Sequence, residues 1–332
     1  MTYGAQATDW EPYYPEVLDS SMIAVMKQCP QLWKKVYIDE WKSKVTRIDL
    51  HAGAAFAKGV EDGRRAFFED GKEAEEAQAI GVASLLRYYG NVECPPENPK
   101  SAERMAGALT YYFDQFPLTH STGYPILLPG GKRAIELSFA QPLAINHPIT
   151  GQPLIYAGRL DAVLSTLGDQ FGCDEKTTKS LGPTWPNQWQ LRAQLIGYKW
   201  GMKQWGIRVA GVVVRGVSIL KTKYDHAESV NYYPDWMVDR WEMELLEWIE
   251  ESIRWWKTKR YRYNMDFSCS AYGGCGFLDT CTSQNEQPWL ETYYERRHWD
   301  PVTRTETLLN PVPRPLGWGE HQQSKVMAEQ LK

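Results

Sequence analysis

Two short runs, IYAGRLDAVLS at residues 155–165 and DQFGCDEKT at 169–177, are separated only by Thr-Leu-Gly. Both have the composition of strands, and a turn this short joins strands that pair antiparallel, so the two runs predict a hairpin. Side chains in a strand alternate between faces. Asp174 and Lys176 therefore point one way and Glu175 the other. Asp161, in Gly158-Arg159-Leu160-Asp161, can lie near Asp174 on the same face of such a hairpin. Two carboxylates pressed together repel, and a divalent cation between them relieves the repulsion. A hard, oxygen-ligated cation with open positions binds a phosphodiester and a water together and lowers the pKa of that water. Lys176 would orient the water or offset the charge that grows on the phosphate. Acid-x-Lys also occurs at Glu40-Trp41-Lys42 and Asp70-Gly71-Lys72, but only the copy at 174–176 falls on a predicted strand with an aspartate on a strand just upstream.

The pattern around the hairpin sets the fold class. A helix capped by Ser20 or Ser21 is expected through about Asp39. Leu50 to Tyr89 reads as helical with a break near Gly71, and Ser101 to Phe116 as a further helix. VECPPENPK, residues 92–100, is a loop by its prolines. Residues 133–139 and 207–220 read as strands, and residues 187–205 and 234–258 as helices. Helices, a small sheet, a helix, a further strand and a last helix describe a mixed α/β or α+β domain around a central sheet. At 332 residues the chain can bury a substantial core as one large domain or two ordinary ones. No apolar run is long enough to span a bilayer, which makes the cytoplasm the default location and leaves no membrane partner.

Two helical signals flank the hairpin. Gln194 and Tyr198 share a helix face at i and i+4, with Gln190 one turn earlier. Upstream, Gly53, Ala57 and Glu61 repeat every four residues, so Glu61 can reach into a site along a face of small residues. The net charge of −4 gives no general attraction to nucleic acid, so any such binding needs a local patch. RWWKTKRYRY, residues 254–263, has five basic side chains, four aromatics and no acid. It is either a solvated helix end, where cations suit the dipole, or a place where Lys257, Lys259, Arg260 and Arg262 meet phosphates while aromatic rings stack on bases.

Cysteine is the remaining signal. Cys269, Cys275 and Cys281 lie close together in SCSAYGGCGFLDTC, and Cys29 lies far upstream in a Lys-Gln-Cys-Pro turn. Four thiolates suit zinc or an iron-sulfur cluster, although a spacing of five residues is loose for a zinc ribbon. The glycines beside Cys275 would let backbone amides approach cluster sulfurs. Cys94 and Cys173 are isolated, and Cys173 is expected to face the core.

In this order the motifs resemble the RecB-type branch of the PD-(D/E)xK nuclease superfamily. Within it they are most similar to the small iron-sulfur exonucleases of CRISPR adaptation modules and phages. The corresponding residues are Cys29; Gly53 to Ala57; Gly158 to Asp161; Asp174 to Thr177; Gln194 to Tyr198; and Cys269, Cys275 and Cys281, spanning roughly residues 20 to 285. The resemblance implies a restriction-endonuclease-like α/β fold: a central mixed sheet flanked by helices, an N-terminal helical region and a C-terminal cysteine-rich lobe. It implies metal-dependent hydrolysis of DNA, with Asp161, Asp174, Lys176, Gln194 and Tyr198 in the catalytic group. It also implies a four-iron four-sulfur cluster on the four cysteines, which would close a loop of about 240 residues.

Ala57 stands where the family has a metal-binding histidine, and His51 is about 240° away round a helix. The remaining candidate ligands are Glu61, Asp161, Asp174 and the carbonyl of Glu175, an all-oxygen set that favours magnesium or manganese. The resemblance makes residues 1–285 one nuclease domain, with residues 286–332 an extended tail carrying Pro301, Pro311, Pro313 and Pro315. DNA ends or single strands are the expected partner, alongside a recombination, CRISPR or phage protein. Two other readings use the same residues: a DNA-end-binding module that has lost hydrolysis with the histidine, and an interaction protein stapled by zinc. Anaerobic purification separates the last from the others: a brown protein that contains iron is expected, and a colourless one that contains zinc would remove the cluster.

Overall fold

Three helices form the first part of the architecture, in a computed structural model that describes residues 12–119, 123–166, 168–270, 274–302 and 307–308. They are α1 (Ile48–Phe68), α2 (Ala74–Tyr89) and α3 (Ala102–Gln115). Ser101 caps α3, its hydroxyl accepting the Arg104 N–H at 3.3 Å. Glycines on facing sides bring α1 and α2 together. A Cβ on Gly81 would stand 2.6 Å from the Gly59 carbonyl, and one on Gly59 would stand 2.5 Å from Leu109 Cδ2. Ala52, Phe56, Val60, Leu85, Leu109 and Phe113 fill the space around this crossing, against Val217 and Ile219 of the sheet.

The sheet carries β1 (Ile135–Asn146), β2 (Pro153–Thr166), β3 (Asp169–Thr178), β4 (Gly211–Ile219) and β5 (Tyr224–Tyr232), side by side in that order. Thr307–Leu308 runs parallel beside β1. The β2–β3 and β4–β5 pairs are antiparallel and β3–β4 is parallel, so the sheet is mixed. A parallel neighbour requires a crossover. Here α4 (Ala193–Gln204) lies on it. Every residue of β4 is buried, as expected of a strand covered on both faces. The molecule is thus mixed α/β, with a central mixed sheet flanked by helices.

Several expected boundaries move, each for a local reason. The first helix is capped by Asp19, whose Oδ1 accepts the Met22 N–H at 2.8 Å, rather than by Ser20 or Ser21. It also stops at Gln28, because Pro30 drives Cys29 into an extended conformation (φ −163°, ψ 117°) before a second short helix begins. The helix expected over 187–205 is a 3₁₀ turn, Pro186–Trp189, followed by α4, with Arg192 extended between them. β5 has no counterpart in the sequence reading, since YDHAESVNY carries few apolar residues.

Clustering of contacts divides the chain into two units: residues 46–141, 156–244 and 301–332, and residues 1–45, 142–155 and 245–300. The three helices and the centre of the sheet belong to the first. In the second, Tyr14 is fully buried and its hydroxyl shares a 2.6 Å hydrogen bond with Ser252 on α5 (Asp235–Thr258). The tail expected from residue 286 opens with ordered elements of this unit. Pro288 starts a helix, Gln287–Tyr293, and Tyr294–Arg296 pairs antiparallel with Trp41–Ser43. Pro311, Pro313 and Pro315 lie outside the described residues.

The close approach of α1 and α2 is testable. Gly81→Ala is expected to cost about 1–3 kcal/mol by overpacking, read from the denaturation midpoint. Gly182→Ala, where a Cβ would meet nothing within 4 Å, is the control and should leave the midpoint unchanged.

Candidate functional site

The β2–β3 ladder ends at Ala162 and Cys173. One residue further, the Asp161 side chain takes over from the backbone, and its Oδ2 accepts the Glu175 N–H at 2.6 Å. This fixes Asp161 beside the Asp174-Glu175-Lys176 segment. Lys176 Nζ lies 2.5 Å from Asp174 Oδ2, an ion pair whose angle is outside hydrogen-bond geometry. Burial pushes the Asp161 carboxyl well above the ordinary aspartate range, and Glu175, Asp174 and Glu136 push it further. Burial also raises Asp174, against the pull of Lys176. Burial opposes charge on Lys176, but Asp174 and Asp161 outweigh it and hold the ammonium above its ordinary value. Lys176 is therefore a fixed cation rather than a base.

Alternation along β3 separates two sides. Tyr198, on α4, lies on the side of Asp174: burial, then Asp174 and Asp161, raise its hydroxyl far above the usual tyrosine value. Gln194 Nε2 donates to the Tyr198 hydroxyl at 2.6 Å, which leaves the phenol proton free to be donated in turn. Arg192, an exposed residue just before α4, also acts on Asp174. The sequence reading missed it.

Cys173, Glu175 and Thr177 belong to the other side, under α1. A Cβ on Gly53 would stand 3.7 Å from Thr177 Oγ1, and Arg64 Nη2 donates to Glu175 Oε1 at 2.5 Å. Glu61 is buried on the same helix, with Arg65 Nε at 2.9 Å and Lys58 Nζ at 3.1 Å on its carboxylate. Ala57 offers no ligand, and His51 Nε2 is engaged with the Tyr89 carbonyl at 2.9 Å.

Glu136 is a further missed residue. It is buried in β1, and Arg159 Nε lies 2.9 Å from its Oε2. Its φ of +52° is left-handed, an uncommon and costly conformation for a residue other than glycine that re-aims the side chain. Burial raises its carboxyl to about 7; Arg159 pulls it down while Glu61 and Glu175 add to the rise. An acid inside the otherwise apolar run Ala-Ile-Glu-Leu was the available signal.

Among the described residues, no group of three or more His, Cys, Asp or Glu is placed to hold a metal ion as it stands. The donor chemistry nevertheless fits a hard cation. Asp161 is pressed by three other carboxylates and offset by one ammonium, so the oxygen donors are short of positive charge.

The cysteines fit a shared group on similar grounds. Cys29 sits in the extended turn between two helices, and its Sγ accepts the Asn264 N–H at 3.5 Å. The Cys275 N–H donates to the Cys269 carbonyl at 2.8 Å. Burial raises the Cys275 thiol, with Cys269 and Cys29 adding to the rise. Burial also raises Cys281, which in turn feels Cys275 and Cys29. Cys275 and Cys281 thus each sense the other and Cys29, and Cys275 also senses Cys269. The fully buried Lys35, ion-paired with Glu286, lies close enough to pull both of these thiols back down. Cys173 is buried in the core of the other unit, as expected, and Cys94 donates to the Asn98 carbonyl at 3.4 Å.

Lys257, Lys259, Arg260 and Arg262 are exposed at and beyond the end of α5. Two of them already use the neighbouring aromatics. Lys259 Nζ is 3.5 Å from the centre of the Trp256 ring, and Arg262 is ion-paired with Glu251 and lies 6.0 Å from the Trp255 ring centre. Trp255 is buried and cannot stack on a base.

No family model matches the chain, and no curated protein matches it. Among solved structures, one described as the crystal structure of SSO0001 aligns with a TM-score of 0.29 and 13% identity, over 65% of this chain and 80% of that chain. Among the described residues, no helix is long and apolar enough to cross a membrane.

Glu136 gives this site a pH signature. Its raised carboxyl favours the folded state only while protonated. That stabilisation is complete below the ordinary glutamate range and is lost as pH rises through about 7. In metal-free protein the melting temperature should fall between pH 5 and pH 8, at roughly 2–4 °C per kcal/mol for a chain of this size. Glu136→Gln should flatten part of that slope. An unchanged slope would mean that Glu136 ionises normally.

Proposed function

We propose that the chain is a restriction-endonuclease-like, metal-dependent deoxyribonuclease that hydrolyses phosphodiester bonds as an exonuclease, on single strands or duplex ends. One observation carries the reading: Asp161, Asp174 and the Lys176 ammonium converge beside the Gln194–Tyr198 pair. Asp161 and Asp174 would hold magnesium or manganese, with the Glu175 carbonyl as a further oxygen donor and Glu61 joining only on release from Lys58 and Arg65, and the ion would polarise the phosphodiester and acidify a bound water. Lys176 stays charged and offsets the negative charge that grows on the phosphate. Tyr198 keeps its proton and donates a hydrogen bond through it to a phosphate oxygen, held in orientation by Gln194. The exposed cations Lys257, Lys259, Arg260 and Arg262 give the DNA backbone a sequence-independent contact.

Cys29, Cys269, Cys275 and Cys281 would hold a four-iron four-sulfur cluster, which would tie the turn after the first helix to the segment 269–281. The work suits DNA recombination, repair or phage DNA processing in a bacterial or phage-infected cytoplasm, beside a recombination or CRISPR partner.

A second reading, a DNA-end-binding module with weakened hydrolysis, is favoured by three details. Ala57 has no donor, His51 is engaged by the Tyr89 carbonyl, and Glu61 is held by two cations.

Labelled single-stranded DNA with manganese decides between the two. Wild type should degrade it. Lys176→Ala should abolish cleavage and keep the iron. Tight retention of intact DNA by wild type would favour the binding module, and full cleavage by Lys176→Ala would remove the mechanism.

A further inference from the structure

Three donors converge on one oxygen of Glu175. Arg64 Nη2 lies 2.5 Å from its Oε1, the Tyr112 hydroxyl 2.9 Å and the Cys173 thiol 3.1 Å. Arg64 Nη2 also donates to the Tyr112 oxygen at 3.0 Å, so the donors brace each other. The Arg64 and Glu175 side chains are 5% and 2% exposed, so both charges have been taken out of water.

A pair of this kind is a poor way to hold a helix to a strand. Desolvating two ions costs several kcal/mol each, about as much as their attraction returns, and apolar residues of similar volume commonly do as well or better. Arg64 adds a further cost, since its Nη1 is buried with no hydrogen-bond partner among the described residues. What the pair supplies is geometry. Glu175 is the residue between Asp174 and Lys176, and its N–H holds Asp161 at 2.6 Å. A carboxylate pinned by three donors fixes the backbone at residue 175, and through it the carboxylate on the neighbouring strand.

We propose that Arg64 is a positioning residue for the hydrolytic site, acting through Glu175 to set Asp161 against Asp174 and Lys176; the inference rests on the nuclease reading. No spacing rule hints at this role, because Arg64 lies on a helix and Glu175 faces away from Asp174 and Lys176 on its strand.

The test uses the full chain with its iron. The double variant Arg64→Met with Glu175→Leu removes both charges together, so neither is left buried and alone. It is expected to keep the wild-type melting temperature and iron content. Its manganese affinity, read from the electron paramagnetic resonance of free Mn2+, and its kcat on labelled single-stranded DNA should each fall about 10–100-fold, the usual effect of losing a residue that orients a ligand. KM for DNA should stay unchanged, and Arg64→Lys should recover part of the loss. A folded double variant with wild-type manganese affinity and kcat overturns the proposal. Should the double variant not fold, Tyr112→Phe removes one donor only and should weaken manganese binding by about 2–10-fold; no change there also overturns it. A wild type that binds manganese but does not cleave removes the nuclease reading, and the manganese affinities still decide the positioning role. A wild type that does neither removes both.

Discussion

The hydrogen bond from the Glu175 N–H to Asp161 decides how the centre of this protein is built. It ends the hairpin ladder at the point where the strands would otherwise continue to pair, and it turns a backbone position into a carboxylate position. Asp161 is thereby held within electrical reach of Asp174, Glu175, Glu136 and Lys176 at once. No comparable concentration of charge survives in a protein interior without cations to match it. Lys176, Arg64 and Arg159 answer three of these acids, and burial still holds the Asp161 carboxyl well above its ordinary range.

The strand divides this charge into two environments of opposite character. On the α4 side, Asp174 and Lys176 stand near Tyr198, whose hydroxyl keeps its proton, and Arg192 acts on Asp174 from the start of the helix. On the α1 side, burial opposes ionisation of Glu175 but the Arg64 guanidinium overcomes it, and the carboxyl settles at about 2. One sequence triplet therefore carries a carboxylate held ionised by Arg64 between two groups that face α4. The arrangement follows from the two-residue period of a strand and the presence of a buried guanidinium on one side only.

Much of this was legible because it depends on short-range rules. The hairpin, the shared face of Asp174 and Lys176, and the helix over residues 101–116 each follow from residues within a few positions of one another. The illegible parts depend on distant chain. Glu136 enters the site through a left-handed backbone that no spacing rule anticipates, and Arg64 meets Glu175 across 111 positions. β5 was missed because its pairing comes from β4 rather than from an apolar pattern of its own; of its residues only Ser229 and Asn231 are buried. The helix expected through Asp39 ends at Gln28 because Pro30 starts a new one.

The interleaving of the two units has a consequence for how the molecule comes into being. Cys29 emerges early in translation and Cys281 late, and the whole stretch carrying the carboxylates is made between them. The thiol set is complete only after the hairpin, α4 and α5 have been synthesised. No contiguous fragment can contain all four cysteines and omit the acidic centre. A truncated product can therefore carry a finished hairpin without ever carrying all four of these cysteines.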